Sequence, residues 1–396
     1  MRRKQVRRVV LGGYPITLPW MASFARGLNA YAEEHGDWLI TTSPPSPTRG
    51  QFRSELDAYT LKNWPCDGAI LAIGSQGEAR VARRLGIPVV NMSAAVCNVS
   101  LPRVMTDDLA MGRMAADHLL ERGLRHLAYL GMAGFWYSER RHAGLAQRAR
   151  EAGVSCDIAM MRRPTNSRTP WHQRVAPLDR WLQRLPRPVG LLVMHDDLSR
   201  VVADECRRLG LNVPHEVAVI ATGNDTIVCE FRQPTLSSVD RNAWRAGYEA
   251  AALLDRLMAG KAPPPHDILI PPQTVVARQS TDTVNVDDAE VAAAVRFISD
   301  HLHEAFGMAR VMRQVTISRR QLELRFRNAL GLSPYHYLCR ARVQAAKRLL
   351  ERPEHTKLQK IATSCGFSGL EHLHDVFHRV AGTTPVEYHR QWKLHR

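Results

Sequence analysis

From Met1 to about Asp282, short apolar and β-branched runs alternate with longer stretches in which apolar residues recur every three or four positions. The short runs predict β-strands, and the recurring positions predict amphipathic helices. Their alternation is typical of βαβ units, so we predict an α/β fold with parallel sheets. The predicted strands are Val9–Tyr14, Trp38–Thr42, Gly68–Ile73, Pro88–Met92, His126–Gly131, Val189–Met194 and Val217–Ala221.

Helices are predicted between these strands at Trp20–His35, Gly77–Leu85, Leu109–Gly123, Glu139–Gly153, Leu178–Leu185, Leu198–Leu209 and Asn242–Ala259. Two proline-rich segments, Ser43–Pro47 and Pro263–Pro265, predict loops. The alternation ends at Ser280–Asp288, a polar segment that is typical of a linker. The later periodic stretches are all helical, at Ala289–His303, Gly307–Gln314, Ser318–Leu330, Pro334–Leu350, Leu358–Cys365, Gly369–Val380 and Pro385–Trp392. We therefore predict an α/β domain at residues 1–281, a linker at 282–288 and an all-α domain at 289–396.

The all-α part contains one sequence pattern twice. The unit L-x3-F-x4-G-x-[ST]-P-x2-Y begins at Leu322 and again 51 positions later at Leu373. Leu and Phe four positions apart share one helix face, Gly suits the end of a helix, and Ser/Thr-Pro suits the cap and first turn of another. Two copies predict two helix-turn-helix modules in a row, an arrangement suited to reading two neighbouring stretches of DNA.

Each module is expected to bury its Leu and Phe and to leave the opposite helix face in solvent. In the first module this face carries Arg319, Arg320, Glu323, Leu324 and Arg327, and Arg suits the major groove because it pairs bidentately with guanine. A helical bundle with a solvated basic face is the alternative, which the repeat disfavours. A zinc site around Cys365 and the nearby histidines matches no finger spacing, so we expect no metal and no cofactor.

Composition adds a preference for a polyanionic partner. The net charge is +16, and the part from Val284 onward is the denser in positive charge, with 18 Lys and Arg against 11 Asp and Glu. The seven cysteines are scattered and form no C-x2-C pair, which indicates reduced thiols in a cytoplasmic protein. The apolar run near the N-terminus is too short for a signal sequence, and no stretch is long enough to span a membrane.

Polar and aromatic residues lie near the ends of several predicted strands, where such a fold binds its ligand. They are Tyr14, Asp107, Arg141, Trp171, His195 and Asp225. Carboxylates accept hydroxyl hydrogens and an indole covers a CH face, so the set suits a polyhydroxylated ligand such as a sugar. Structural alternatives stay open: a strand-end Asp often caps the next helix, Arg140 and Arg141 are expected to open a helix and could be surface charges, and Trp171 could pack within its loop.

Four segments of the α/β part resemble the sugar-binding regulators of the LacI/GalR group. They are V-M-T-D-D-L-A-M-G-R-M-A-A-D-H-L (104–119), L-L-V-M-H-D-D-L-S-R-V-V-A (191–203), V-A-V-I-A-T-G-N-D-T (217–226) and P-T-L-S-S-V-D-R-N-A-W-R-A-G-Y-E-A-A (234–251). The resemblance implies a periplasmic-binding-protein-like fold whose two lobes close on an effector, with crossovers near residues 107, 240 and 270. The pocket positions of the group correspond to Asp107, Arg141, His195 and Asp225, with an aromatic residue near Trp171. The chain departs from the group at Asn224 and at His195, where Asn is common.

The all-α part resembles AraC/XylS-type transcription regulators. The motif I-A-T-S-C-G-F-S-G-L-E-H-L-H-D-V-F-H-R-V-A-G-T-T-P-V-E-Y (361–388) carries the resemblance, and R-A-R-V-Q-A-A-K-R-L-L (340–350) resembles the long helix that joins their two modules. The resemblance implies recognition helices in successive major grooves of double-stranded DNA. The base-reading positions would be Arg319, Arg320, Gln321 and Leu324, then Leu370, Glu371, His374 and Asp375. Members of the family often carry a basic residue where this chain has Asp375 and Lys where it has His378.

These features predict a cytoplasmic, ligand-responsive transcription regulator rather than an enzyme, since the sequence shows no paired acid/base site, G-x-S-x-G motif or phosphate loop. The resemblances imply a homodimer that activates sugar-catabolic genes through RNA polymerase, with a sugar such as xylose as effector. Two alternatives stay open: a regulator that responds to a different small molecule, and a sugar-binding module without transcriptional activation, such as a transport receptor.

Overall fold

A computed structural model describes residues 6–42, 45–46, 50–161, 170–231, 233–283, 288–330, 332–350 and 357–394. The chain divides into two compact units, Met1–Thr283 and Val284–Arg396. The first unit is α/β and the second is helical. Residues 284–287 of the predicted linker lie outside the described residues.

Strands and helices alternate through the first unit. Its strands are β1 (Arg7–Gly12), β2 (Trp38–Thr41), β3 (Pro45–Ser46), β4 (Gly50–Ser54), β5 (Gly68–Leu71), β6 (Val89–Asn91), β7 (Val104–Thr106), β8 (His126–Met132), β9 (Ser155–Met161), β10 (Val189–Val193), β11 (Val217–Thr222), β12 (Ser237–Val239), β13 (Ile268–Ile270) and β14 (Val275–Val276). Its helices are α1 (Pro19–His35), α2 (Gln76–Arg83), α3 (Asp108–Leu120), α4 (Trp136–Glu151), α5 (Trp171–Arg184), α6 (Asp196–Arg208), α7 (Thr226–Glu230) and α8 (Ala243–Met258), with 3-10 turns at Thr60–Asn63 and Gln279–Thr281. All seven predicted strands are present, and their ends differ from the predicted ends by at most two residues.

Two sheets with separate cores give the first unit two lobes. The first sheet is parallel, in the order β2-β1-β5-β6. Residues of α1 and α8 such as Leu28 and Leu254 pack against one face of it, and residues of α2 such as Ala79 pack against the other. Because both faces are covered, β5 is buried along its whole length and reads as a continuous apolar run.

The second sheet has the order β14-β12-β11-β10-β8-β9. The parallel sheets are present as predicted, and this sheet adds β14, which pairs antiparallel with β12 at the edge. The antiparallel strand has only two residues and follows a return of the chain from the first lobe, which brings it in from the opposite direction.

Three crossovers connect the lobes. The first follows β7, the second lies between β12 and α8, and the third lies between β13 and β14. Strands β7 and β13 pair with each other, and the Asp107 N–H donates to the Ile270 carbonyl over 2.8 Å. The Asp240 N–H likewise donates to the Thr274 carbonyl over 2.8 Å. The crossover segments are therefore hydrogen-bonded to one another.

Three local predictions are wrong. Trp171 does not lie in a loop but begins α5, which contains Pro177; the predicted helix Leu178–Leu185 covers only the second half of this helix. Arg140 and Arg141 lie within α4, whose first residue is Trp136. Part of the predicted Ser43–Pro47 loop is strand β3, paired with β4, while residues 43, 44 and 47 lie outside the described residues.

The second unit contains α9 (Ala289–Asp300), α10 (Met308–Met312), α11 (Arg319–Leu330), α12 (Pro334–Leu350), α13 (Leu358–Ser364), α14 (Leu370–Ala381) and α15 (Pro385–Leu394). The repeat produces the same packing twice, as predicted. Phe326 meets Tyr337 edge-on with ring centroids 5.9 Å apart, and Phe377 meets Tyr388 edge-on at 5.7 Å. Each pair ties a second helix of a helix-turn-helix to the helix that follows it.

Candidate functional site

Three of the predicted ligand residues are N-caps of helices that begin at strand ends. Asp107 Oδ1 accepts from the backbone N–H three positions on over 3.0 Å, and His195 Nδ1 does the same over 3.2 Å. Asp225 Oδ1 accepts from the Ile227 and Val228 N–H groups over 3.0 and 3.3 Å. The capping roles are therefore real, yet Asp107 Oδ2, His195 Nε2 and Asp225 Oδ2 have no hydrogen-bond partner among the described residues. Each side chain therefore has one polar atom that the fold does not use.

His195 is suited to donate a hydrogen bond. Its Nδ1 accepts from a backbone N–H, so the neutral ring carries its proton on Nε2. Burial lowers the pKa of His195 below its usual value, and the ring is therefore neutral at pH 7. A neutral Nε2–H can donate to a hydroxyl oxygen.

Arg141 lies at the centre of this edge and is almost fully buried, with 5 % of its side chain exposed. Its Nε donates to Asp108 Oδ1 over 2.7 Å. Its Nη1 donates to the Met194 carbonyl and, over 2.7 Å, to Thr222 Oγ1. The ion pair with Asp108 forms because α3 and α4 are in backbone contact: a side chain at Gly112 would collide with the Arg141 carbonyl. Arg141 is therefore a structural cation whose Nη2 has no hydrogen-bond partner in the described part of the chain.

Aromatic rings and guanidinium groups from both lobes meet near Arg141. In the first lobe, Trp20 lies edge-on to Tyr14 at 5.3 Å between ring centroids, and the Arg241 guanidinium lies 4.5 Å from the Trp20 ring. In the second lobe, the Arg141 guanidinium lies 5.0 Å from the Tyr137 ring. Burial raises the pKa of Tyr137, Arg141 and Arg241 oppose the shift, and Tyr14 adds to it. The two lobes thus present phenols and cations to each other across a cleft.

A cavity of about 260 Å³ lies beside the first crossover. Its polar lining consists of Thr106, Asp107, Asp108, Arg140, His266 and Asp267, and Trp136 supplies an aromatic wall. Asp267 is paired with Arg103 Nη2 at 2.5 Å, and Asp108 is paired with Arg141. Asp107 and Arg140 are therefore the charged groups of this lining that carry no ion pair among the described residues.

The structure brings Tyr14 and Arg141 into one neighbourhood, while Asp107 lines the adjoining cavity. The side chain of Trp171 lies outside the described residues. Sequence reasoning missed Trp20, Tyr137 and Arg241. The missed residues lie in or beside the first turn of a helix rather than at a strand end, so a search that included the residues opening each following helix would have found them.

A polar chain connects this edge with the second crossover. Asn224 has a left-handed backbone (φ 59°), its Nδ2 donates to Asp240 Oδ2 over 3.0 Å, and its Oδ1 accepts from Arg278 Nη2 over 3.0 Å. Buried Asp196 holds the same loop by accepting from the Asp225 N–H over 2.8 Å and from Ser238 Oγ over 2.6 Å. Burial raises the pKa of Asp196 to about 6.

The last residues of the first unit are held in the second lobe by the same network. Arg278 Nη1 donates to the Leu236 carbonyl over 3.0 Å, and Thr281 Oγ1 lies 2.7 Å from Ser237 Oγ and 2.8 Å from His118 Nε2. The residues that precede the predicted linker therefore contact the residues that hold Asn224. A change at the cleft has a hydrogen-bonded route to this end of the unit.

His118 predicts a pH-dependent stability of the first unit. Burial lowers its pKa to about 3, whereas the unfolded side chain titrates near its usual value, so the unfolded state binds the extra proton between these pH values. Stability is therefore lost as pH falls below about 6.5, by about 2 kcal/mol between pH 7 and pH 5. Urea unfolding followed by Trp fluorescence measures this, since seven of the eight Trp residues lie in the first unit.

His118→Gln is the matched control for this prediction because Gln can still bond to Thr281 but does not titrate. The variant is expected to lose about 2 kcal/mol less than the wild type between pH 7 and pH 5. Contributions of His195 and Asp196 are common to both proteins and cancel. Equal pH dependence of the two proteins would show that His118 is not buried as a neutral group.

The exposed face of helix α11 carries arginines that form no ion pair among the described residues. Ser318 and Gln321 form a reciprocal capping box, with the Ser318 N–H donating to Gln321 Oε1 over 3.1 Å. Arg319 Nε donates to Glu323 over 3.0 Å. By contrast Arg320 and Arg327 are exposed and have no ion pair among the described residues. Leu324, between them on the same face, has 60 % of its surface exposed.

Helix α14 has the same geometry and a different charge. Leu373 and Phe377 are fully buried, as predicted, and Gly382 ends the helix in a left-handed conformation (φ 72°). Its outer face carries Leu370, Glu371, His374, Asp375 and His378. The two recognition-helix candidates therefore differ: α11 offers free guanidinium groups, while α14 offers carboxylates, imidazoles and one Leu.

Three family models match the chain along its length. Residues 15–178 match the periplasmic binding proteins and sugar binding domain of the LacI family, residues 116–281 match a periplasmic binding protein-like domain, and residues 311–391 match a helix-turn-helix domain. The same two-part architecture is present in the solved structure of the xylose-binding transcription activator XylR, with a TM-score of 0.74, 25% identity and 98% of each chain covered. The chain is a transcription regulator with a periplasmic-binding-protein-like sensor domain and an AraC-type helix-turn-helix domain.

Two curated relatives match most of the length of this regulator. The xylose operon regulatory protein of Escherichia coli (strain K12) is 29% identical over 347 residues, which cover 85% of this chain and 86% of that protein. The xylose operon regulatory protein of Haemophilus influenzae is 26% identical over 337 residues, which cover 83% and 86% of the two chains. These relatives are transcription regulators and not enzymes. The present chain likewise combines a ligand-responsive sensor with DNA binding.

In the part of the regulator that the structure describes, no helix is long and apolar enough to cross a membrane. Nor does any group of three His, Cys, Asp or Glu side chains there form a candidate metal site.

Proposed function

We propose that the regulator activates genes of pentose catabolism and that D-xylose, bound between the sensor lobes, is its effector. One observation carries the proposal: likeness to xylose operon regulators extends through both domains, with 98% of each chain covered in the structural match. A sensor alone or a DNA-binding domain alone would not identify the signal, because each type occurs with many partners.

The proposed effector contacts are the polar atoms that the fold leaves free. Asp107 Oδ2 and Asp225 Oδ2 accept hydroxyl hydrogens, and His195 Nε2–H donates to a hydroxyl oxygen. Arg141 Nη2 donates from the second lobe. Tyr14 and Trp171 are proposed to cover the apolar face of the sugar ring. Carboxylate acceptors and N–H donors in one cleft suit a molecule that has both a hydrogen and lone pairs on every hydroxyl group.

Sugar binding is proposed to stabilise the closed arrangement of the lobes. Closure changes the crossovers, where Asp240 bonds to Asn224, and Arg278 bonds to Asn224 from the segment that precedes the predicted linker. A ligand shifts the DNA-competent population only if it binds that form better than the other. Residues on this route are expected to change the response to sugar without contacting it.

The DNA-reading proposal assigns bases to the exposed face of each recognition helix. In α11 these residues are Arg319, Arg320, Gln321, Leu324 and Arg327. Arg320 and Arg327 are free to pair with guanine, and Leu324 suits a thymine methyl group. In α14 they are Leu370, Glu371, His374 and Asp375, where Glu371 can accept from a cytosine amine.

The assembly and location proposals follow from the same reading. A cytoplasmic location agrees with free cysteines at the seven described positions. A homodimer is proposed as what the family resemblances imply. RNA polymerase is the partner through which an activator acts.

A thermal-shift titration with single sugars tests the effector directly. At about 100 times its Kd, D-xylose is expected to raise the unfolding temperature of the sensor by about 5 °C. D-glucose, L-arabinose and D-ribose, titrated in parallel, measure selectivity. No shift with D-xylose alongside a clear shift with another sugar would reassign the effector and keep the site.

Asp225→Asn separates the ligand role of Asp225 from its capping role. Asn keeps an oxygen at the N-cap of α7 but removes the charge, so the affinity for D-xylose is expected to fall about ten- to a hundredfold while DNA affinity without sugar is unchanged. Asp225→Ala removes the cap as well and is expected to cost about 1 kcal/mol of sensor stability. Unchanged sugar affinity in the Asn variant, measured by calorimetry, would restrict Asp225 to capping.

A further inference from the structure

The two helix-turn-helix modules have separate hydrophobic cores. The first core contains Leu322 and Phe326, and the second contains Leu373 and Phe377. Helix α12 contributes to both, since Leu338 packs in the first core and later residues of the helix pack in the second. A single shared helix would allow the modules to bend and twist relative to each other.

One side chain of α12 makes a second connection. Arg342, 5 % exposed, extends its Nη2 to the backbone carbonyls of Glu304 and Phe306, at 3.0 and 3.1 Å. Its guanidinium also lies 5.0 Å from the Phe306 ring centroid. These partners belong to the loop between α9 and α10 in the first module. Arg342 thus anchors the loop of one module from the helix that enters the other.

The turn of the second module touches the same loop. Gly366 has a left-handed backbone (φ +71°), and a Cβ built on it would lie 2.5 Å from the carbonyl oxygens of Leu302 and Glu304 and 3.1 Å from Arg342 Nε. Backbone contact at this position is possible only because Gly has no side chain. The turn before recognition helix α14, the loop of the first module and Arg342 therefore form one packed joint.

Burying the Arg342 guanidinium in this joint costs desolvation free energy. Arg342 has no carboxylate partner among the described residues, its Nε has no hydrogen-bond partner, and burial lowers its pKa. A buried guanidinium paired only with carbonyl oxygens and a ring gains less than it loses by desolvation. Its burial also prevents contact with a DNA phosphate. What the geometry provides is a fixed angle between the modules.

We propose that Arg342 is a positioning residue for DNA reading, which sets the spacing and angle between α11 and α14 so that both engage one duplex at a fixed separation. This inference depends on the proposed function, in which both modules read bases. With the joint intact, engagement of one module presents the other at a high effective concentration in the correct orientation. Without the joint, the second module samples many orientations relative to the first, and the affinity for the two-element site falls.

The test uses the full chain and DNA that the wild-type protein selects from a random duplex library. Three probes are compared by anisotropy titration: the selected site, the site with the α14-contacting element scrambled, and the site with one base pair inserted between elements. The variants are Arg342→Met and Gly366→Ala, which disturb the joint from its two sides. Arg340→Met, an exposed position two residues away on α12, is the matched control.

Both joint variants are expected to bind the selected site about tenfold or more weakly than the wild type. They are expected to bind the scrambled site with the same affinity as the wild type. Inserting one base pair is expected to reduce their affinity less than it reduces the affinity of the wild type. Arg340→Met is expected to keep the wild-type insertion penalty. Parallel losses on all three probes would indicate general misfolding and overturn the proposal, as would unchanged insertion penalties. A wild-type chain that ignores scrambling of the second element would contradict two-module reading itself, and the inference with it.

Discussion

Arg320→Ala is expected to weaken binding to the selected DNA site by about ten- to a hundredfold, the effect of losing one bidentate contact with guanine. Arg320 is the residue of choice because it is exposed on α11 and has no ion pair in the described part of the chain. Its guanidinium is therefore available without breaking another contact. Sugar binding by the sensor is expected to be unchanged, since the substitution lies in the other unit.

Arg319→Ala is the matched control for Arg320→Ala. Arg319 is adjacent, has the same charge and is also exposed, but it is bonded to Glu323 on its own helix. If Arg320 and Arg327 carry most of the base reading by α11, Arg319→Ala costs less than Arg320→Ala, because Arg319 must first leave Glu323 to reach a base. Equal losses for the two variants on selected and random DNA would reduce both residues to phosphate contacts.

Arg141→Met is expected to destabilise the sensor by about 3–5 kcal/mol, because it leaves the Asp108 carboxylate buried without its cation. The substitution also removes donors from the Met194 carbonyl and Thr222 Oγ1. Urea unfolding followed by Trp fluorescence measures the loss. This expectation revises a purely ligand-binding view of Arg141: most of its donors hold the lobe together, and only Nη2 is free for an effector.

The double variant Arg141→Met with Asp108→Asn tests this explanation. Removing the stranded charge is expected to restore at least about 1 kcal/mol relative to Arg141→Met alone. Arg140→Met, on the same helix but without a buried ion pair, is expected to change stability by less than about 1 kcal/mol. A double variant as unstable as the sum of the two single variants would show that the ion pair is not the source of the loss.

Sequence periodicity was sufficient for the elements that are long and buried. Strand β10 is buried throughout, so its apolar run is unbroken, and α12 has the predicted bounds. Seven strands were missed, for three reasons. Strands β3, β7, β12, β13 and β14 have two or three residues, too few to show alternation. Strand β4 contains a single apolar residue, and β9 lies at a sheet edge, contains Ser155 and Asp157 and has no buried position.

The strand-end rule found polar residues at the predicted strand ends but could not separate their capping roles from ligand-binding roles. It found Asp107, His195 and Asp225, which the structure shows to be caps with one polar atom each to spare. A sequence cannot separate these roles because both use the same residue at the same position. It also could not predict that Arg241 of the first lobe approaches Arg141 of the second, since that proximity depends on how the lobes close.

The repeat was fully readable because its residues are local. Leu and Phe on one helix, Gly at its end and a Tyr on the next helix define each module without distant contacts, and the structure adds that the Phe–Tyr ring pair recurs at 5.9 and 5.7 Å. The joint between modules was not readable: Arg342, the loop at Glu304 and the turn at Gly366 are far apart in sequence. The sequence pattern thus predicts two similar modules, whereas their relative orientation is seen only in the packing of the structure.

The central claim is that a sugar in the sensor controls DNA reading by the second unit. An anisotropy titration of the full regulator on its selected DNA site, with and without saturating D-xylose, tests it most directly. The account predicts that D-xylose changes the DNA affinity by at least about fivefold, which corresponds to a coupling free energy of about 1 kcal/mol. Identical titration curves with D-xylose and with every other sugar that binds the sensor would contradict it.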